Sequence, residues 1–221
     1  SSTSRGLGDV YKRQIQYMAD IIRHLPQMRG YDIVQITNPV FFDLRPEKNW
    51  AIFKYLKKHN KKIFLDALAT DHYYVKACLD GKTFRYSDFF VGDRPLPHPE
   101  REKMLAAWIG GPNERPNIEM AQEANGIIAC LYEYYAAYQP EYADKLAYIP
   151  IPIDLSINPF HPIKSTPEVV KFFIGIQQHR TAIKGTDILL DVLREIHDKY
   201  PRESHIQKVV SVPVSYTHLR A

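Results

Sequence analysis

Residues 171–196 read KFFIGIQQHRTAIKGTDILLDVLREI, and this stretch decides the fold. An apolar run stops at Gly175, a polar loop carries Arg180 and Lys184, and an amphipathic helix follows with Thr186 as its predicted N-cap. In α/β proteins this order presents free N–H groups, the helix dipole and two cations to an anion, usually a phosphate. The stretch therefore predicts a strand, loop and helix that bind phosphate.

The helix after this loop has a predicted core-facing stripe of apolar residues at helical spacing. Its members are Ile188, Leu189, Val192, Leu193 and Ile196. The chain lacks GxGxxG after a strand and lacks GxxxxGK[ST], which argues against dinucleotide and P-loop sites. A solvated loop that merely enters a helix is the alternative interpretation of the same residues.

Upstream, short apolar runs alternate with amphipathic stretches. The predicted strands are 33–36, 63–65, 127–130 and 146–153, and the predicted helices are 15–25, 47–59, 104–108, 118–124 and 132–138, the last ended by Pro140. Strands that are apolar throughout and separated by helices indicate a parallel sheet covered on both faces. The fold class is therefore α/β, with a doubly wound, Rossmann-like sheet whose first strand is not visible.

The prolines of residues 154–168 break the periodicity and predict an interdomain linker. Residues 15–153 then form one Rossmann-like domain, and 169–212 form the start of a second. Residues 1–14 and 213–221 share no period with their neighbours and resemble translated sequencing-adapter read-through, so we expect them to be non-native tails. Ordinary frayed termini are the alternative.

The composition is that of a globular protein, with 45% hydrophobic and 24% charged residues among 221. Two of the four excess positive charges lie in residues 1–14 and one in the last nine, so the charge does not favour a nucleic-acid partner. No segment resembles a signal peptide or a membrane span, which predicts a cytoplasmic protein. Cys78 and Cys130 lack metal-ligand spacing and are expected to be reduced.

The segment FFIGIQQHRTAIKGTDILLDVL (172–193) resembles the opening of the C-terminal domain in glycosyltransferases of the GT-B fold, of the bacterial group 1 or family 4 type. GYDIVQITNP (30–39), FLDALATDHYYVK (64–76), ANGIIACLYEYYAAY (124–138) and KLAYIPIPID (145–154) are similar to successive strands of that family's N-terminal, acceptor-binding domain. The resemblance implies transfer of a sugar from a nucleotide diphosphate sugar to a glycan or lipid-linked acceptor. It implies neither a cofactor nor an essential metal.

By this resemblance, Gly175, Arg180, Lys184 and Gly185 hold the donor diphosphate, with Lys184-Gly185 matching the family's Lys-Gly. The family places its arginine directly after the first glycine, where this chain has Ile176. Arg180 is then expected to reach the phosphate from the loop. The family's acidic pair, Glu-x7-Glu, has no counterpart in the matching region, so we expect the chain to be an inactive internal piece of its parent.

On the acceptor side, the resemblance marks Asp71 and His72 as catalytic candidates, because a histidine there could stabilise charge near the transferred sugar. The alternative is that Asp71 caps a helix and His72 packs in the interior. Asn38 could contact the acceptor at the end of a strand, or simply form an Asn-Pro turn.

Two further clusters have functional and structural interpretations. Four tyrosines in 132–138 could stack on a sugar or base, although helical spacing favours a core with polar tips. Lysines in 57–62 could contact acidic lipid in a peripheral inner-membrane association, although a solvated helix end is the simpler interpretation. A nucleotide-sugar epimerase of the same fold and a non-catalytic GT-B-like binding subunit are the alternative functions.

Overall fold

The computed structural model describes residues 3–95, 101–157, 159, 162, 167–176 and 184–210. The chain divides into two compact units, which we call unit 1 (Ser1–Pro152) and unit 2 (Ile153–Ala221). Helices and strands alternate along both units. The predicted α/β class is therefore confirmed.

Unit 1 carries most of the secondary structure of the described chain. Its helices are α1 (Thr3–His24), a 3-10 turn (Leu25–Met28), α2 (Pro46–His59), α3 (His72–Leu79), α4 (Arg101–Trp108), α5 (Glu114–Glu123) and α6 (Tyr132–Tyr142). Its strands are β1 (Ile33–Ile36), β2 (Lys62–Ala67), β3 (Phe90–Val91), β4 (Arg94–Pro95), β5 (Gly126–Ala129) and β6 (Leu146–Tyr148).

Several of the predicted boundaries differ from the structure. The helix predicted from residue 15 begins at Thr3. The strand predicted over 146–153 ends at Tyr148. Helix α6 does not end at Pro140 but continues to Tyr142. A proline this close to a helix C-terminus removes one backbone donor while little helix remains to be disrupted.

Four parallel strands form the main sheet in the order β1-β2-β5-β6, and β3 pairs with β4 as a short antiparallel hairpin. The main strands form because their apolar, β-branched runs suit a buried parallel sheet. Their order follows the chain without reversing. The described strands therefore wind in one direction only, and the second winding of a doubly wound sheet stays a prediction.

One face of this sheet holds the core of unit 1. Ile63, Leu65 and Ile127 are 0–1% exposed on that face and pack with helical residues such as Phe53 and Tyr138. Crossovers between parallel strands are right-handed in nearly all proteins, and with this strand order they place their helices on the same face. The packing of α2 on α5, and of α3 on both α5 and α6, agrees with that arrangement.

The other face is less completely covered. The strand register places Gln35, Phe64 and Asp66 there, and Gln35 is exposed while Phe64 is half-buried. The Gln35 amide donates to both carboxylate oxygens of Asp66 at 2.9 Å. The ring of Phe64 lies over Gly126, where an added Cβ would come within 2.6 Å of it.

Unit 2 contains strand β7 (Val170–Ile176), helix α7 (Thr186–Lys199) and strand β8 (Ser204–Val210). The strands are parallel and pair in register from Val170 with Ser204 to Ile176 with Val210. Ile174 and Leu193 form the small buried centre between the sheet and the helix.

The predicted stripe of α7 was largely wrong. Of its members only Leu193 is buried, whereas Ile188, Leu189 and Val192 are 46–62% exposed. Two strands cover only a narrow part of a helix surface, so an apolar stripe wider than that contact remains in solvent. The predicted N-cap was wrong by one residue, because Gly185 occupies that position and Thr186 begins the helix.

Candidate functional site

The junction of β7 and α7 contains the described part of the predicted phosphate site. Gly175 is the next-to-last residue of β7, and Gly185 is the N-cap of α7. Gly185 has φ 61° and ψ 22°, a left-handed conformation that glycine adopts without a Cβ penalty. Its carbonyl accepts the N–H of Leu189 at 3.0 Å, which starts the helix.

The first turn of α7 offers backbone donors without competition from a capping side chain among the described residues. Lys184 is exposed directly before that turn, and an added Cβ at either Gly175 or Gly185 would meet no atom of the described residues within 4 Å. Asp187 places one carboxylate in the same turn and would oppose an anion there. Arg180, the second predicted cation, lies outside the described residues.

Asp71 occupies the N-cap of α3 in unit 1 and is completely buried. One carboxylate oxygen accepts the Tyr74 N–H at 2.8 Å, and the other accepts the Tyr138 hydroxyl at 2.7 Å. Burial raises the pKa of Asp71 to about 6, although both hydrogen bonds and His72 lower it. These are the contacts of a helix cap that is bonded to the core. They agree with the structural interpretation of Asp71 that the sequence analysis gave as the alternative to a catalytic role.

His72 is also interior, with 5% of its surface exposed. Its backbone N–H donates to Asn117 at 2.8 Å, and its Nδ1 lies 2.9 Å from the Trp108 carbonyl. Because a carbonyl only accepts, Nδ1 carries the proton in this contact. Glu114 lies 3.5 Å from the same nitrogen. His72 thus ties α3 to the end of α4 and to α5.

Asn38 lies in the loop after β1, at the carboxyl edge of the sheet. Its amide donates to the Leu68 carbonyl at 2.7 Å, and its side-chain oxygen accepts the Val40 N–H at 2.8 Å. The side chain therefore joins the loops that follow β1 and β2 and also forms the predicted turn. This edge contains Asn38 and the Asp71 loop, and the structure describes no direct contact between the two side chains.

Two features of this edge escaped the sequence analysis. Ala69, two residues after β2, has φ 64°, a strained conformation for a residue with a Cβ. No residue type in ALATD signals it. Asp66 could have been found, because KIFLDA places a carboxylate directly after the apolar run 63–65 of β2. Burial raises the pKa of Asp66.

The tyrosine and lysine clusters mostly have structural contacts. Tyr138 belongs to the core, and Tyr132 and Tyr135 stack on each other at the surface. Lys57 forms an ion pair with Glu123 at 2.8 Å, and Lys61 pairs with Asp32.

Within the described residues, no group of three or more His, Cys, Asp and Glu side chains is placed to hold a metal. None of the described helices combines the length and the apolar character that a membrane crossing requires. No family model, curated protein or solved structure matches the chain.

Proposed function

We propose that the chain carries part of the donor site of a glycosyltransferase with a GT-B fold, and that the β7–α7 junction binds the diphosphate of a nucleotide diphosphate sugar. One observation carries the proposal. Helix α7 opens beyond the carboxyl end of β7 with a left-handed Gly185, uncapped first-turn N–H groups and an exposed Lys184. Ligands of parallel α/β sheets bind at this edge of the strands.

The chemistry of such a site is electrostatic. In sugar transfer an acceptor hydroxyl attacks the anomeric carbon, and the bond to the diphosphate oxygen breaks with its electron pair. The departing nucleotide diphosphate gains charge, which backbone donors, the helix dipole and the Lys184 ammonium stabilise. Arg180, carried over from the resemblance, would add a second cation with two parallel donors.

We assign the acceptor, a glycan or a lipid-linked sugar, to the carboxyl edge of the four-stranded sheet. Asp71 and His72 would act there by positioning, because both are buried and their described contacts hold α3 in place. Asn38 would hold the neighbouring loop. A cytoplasmic location, with peripheral association at the inner membrane, belongs to this proposal.

Calorimetric titration of the full chain with UDP, GDP and ADP tests the donor site. We expect at least one of them to bind and Lys184→Gln to weaken it about tenfold, the effect of one charge-assisted contact. Lys199→Gln, at the other end of α7, is the matched control and should leave the affinity unchanged. Equal affinity of the two variants, or no binding by any of the three nucleotides, would refute the proposal.

The products separate the alternative functions once a nucleotide sugar binds. A transferase releases a nucleoside diphosphate and a glycosylated acceptor, an epimerase returns an isomeric nucleotide sugar, and a binding subunit changes neither. Chromatography of the reaction mixture distinguishes all three.

A further inference from the structure

Unit 2 also contains a concave surface, which lies between α7 and β8. It is a groove of about 300 Å³, lined by Leu190, Arg194, His197, His205, Ile206 and Lys208. Four of these six residues carry nitrogen bases or cations, and none is acidic. Arg194 and Lys208 are its two cations, and Leu190 and Ile206 form an apolar part.

The spacing of the lining residues explains why they share this groove. Leu190, Arg194 and His197 are four and three residues apart, so they form one stripe along α7. Ile206 and Lys208 are two residues apart on β8, so both lie on the same face of the strand, which is the face toward α7. Neither group depends on the loop that precedes α7.

His197 is held in a defined orientation by a buried serine. Ser204 has a single hydroxyl proton, which it donates to the Tyr200 carbonyl at 2.6 Å. Its oxygen must then accept from His197 Nδ1, which lies 3.0 Å away. In the neutral imidazole Nε2 is then an acceptor, for example of a hydrogen bond from a P–OH group.

Arg194 forms an ion pair with Asp191 at 2.9 Å, and both side chains are about two-thirds exposed. Exposed pairs of this kind are weak, so the guanidinium can be recruited by a stronger anion. Cations near the C-terminus of a helix also stabilise its dipole, which could account for His197. That explanation does not extend to His205 and Lys208, because both lie on a strand.

We propose that this groove binds a phosphorylated small molecule, with Arg194 and Lys208 on the phosphate, His197 beside it, and Leu190 and Ile206 against its organic part. Guanidinium and ammonium groups favour phosphate over neutral ligands, and the apolar residues favour an organic phosphate over the free ion. The site is separate from the proposed donor site. His197 comes eleven residues after Thr186, which is about 16 Å along the helix.

Titration of the isotope-labelled full chain with phenyl phosphate, followed by NMR, tests this site. We expect the largest shifts at residues 194, 197 and 208, with weaker binding of inorganic phosphate and none of phenol. Arg194→Gln and Lys208→Gln should each weaken phenyl phosphate binding about fivefold to tenfold. Lys199→Gln, which removes a neighbouring charge outside the groove, should have no effect.

Three results would overturn the proposal. They are shifts confined to residues 184–187, equal weakening by Lys199→Gln and the two groove variants, and phenol binding as tightly as phenyl phosphate. The first would place the phosphate at the donor site, the second would mean nonspecific charge attraction, and the third would make the groove purely apolar. Loss of nucleotide binding in Lys184→Gln bears on the donor site and leaves this test unaffected.

Discussion

Unit 1 and unit 2 use similar apolar strands and amphipathic helices but bury them to very different extents. Within the described chain, unit 1 contains all of the buried apolar residues except Ile174 and Leu193. In unit 2, Phe173 is 70% exposed and Ile188 is 62% exposed. The difference follows from the number of neighbouring strands, because β2 has a strand on each side whereas, among the described strands, β7 and β8 have only each other.

The chemistry of the two units follows the same division. In unit 1 the two candidate catalytic residues, Asp71 and His72, are buried, and their side chains form hydrogen bonds within the fold. In unit 2, Lys184 of the predicted phosphate site is exposed. Contacts to the donor diphosphate are therefore expected in unit 2, whereas substitution of Asp71 or His72 is expected to destabilise unit 1.

The largest expected effect is the loss of a core side chain from unit 1. Leu65 is completely buried, so Leu65→Ala should destabilise unit 1 by about 3 kcal/mol. Leu189→Ala is the same change in unit 2, where the side chain is 47% exposed and the cost should stay below about 0.5 kcal/mol. Residue-resolved hydrogen exchange measures the opening free energy in each unit. Similar losses in both units would break the comparison.

The pH dependence of stability should also differ between the units. Asp71 has a pKa of 3.8 when unperturbed and about 6 in the fold, so the folded state binds more protons between these values. Its contribution to stability therefore falls as pH rises from about 4 to about 6, by on the order of 2–3 kcal/mol. Asp66 titrates in the same direction. In unit 2 the hydrogen bond from Ser156 lowers the pKa of Asp154, so its contribution is lost as pH falls.

Hydrogen exchange at several pH values measures this contrast, and Asp71→Asn is the matched variant. Asparagine can still accept the Tyr74 N–H but does not titrate. The variant should remove most of the decline in unit 1 between pH 4 and 6 and leave unit 2 unchanged. A wild-type profile that rises over this interval would contradict the burial argument.

Two Gly→Ala substitutions have the smallest expected effects on the free energy of unfolding. They separate a steric cause of destabilisation from a cause in the backbone conformation. At Gly126 the new Cβ would lie 2.6 Å from the Phe64 ring, and moving that ring should cost about 1–2 kcal/mol. At Gly185 there is open space but φ is +61°, which should cost about 1 kcal/mol.

Repeating both Gly→Ala substitutions in a Phe64→Leu variant distinguishes the two causes. A smaller, flexible side chain should relieve the cost at Gly126 and leave the cost at Gly185 unchanged. Hydrogen exchange of the double variants provides the opening free energies. An unchanged cost at Gly126 would mean that the ring contact is not its source.

The sequence predicted those features that depend on local pattern. The apolar runs 33–36 and 63–65 became β1 and the centre of β2, and the run after Pro46 became α2. The prediction failed where burial depends on which elements pack against a helix. All apolar residues of the α7 stripe were predicted to face the core, but Ile188 and Val192 have no packed layer over them among the described residues and are exposed.

The candidate site divides in the same way. The sequence predicted that a loop ending in Lys184-Gly185 precedes the amphipathic helix, but it placed the N-cap at Thr186 instead of Gly185. The burial of Asp71 could not be read from ATDHYY, because its partner Tyr138 lies 67 residues later. The strain at Ala69 has no residue signature and required the backbone itself.

Hydrogen–deuterium exchange of the full chain with and without saturating UDP, GDP or ADP tests the central claim most directly. Binding of a diphosphate at the β7–α7 junction should slow exchange of amides 185–189, the N-cap and first turn of α7, and leave the strands of unit 1 unchanged. Protection confined to residues 33–148, with no change at 185–189, would contradict the account and place the ligand in unit 1.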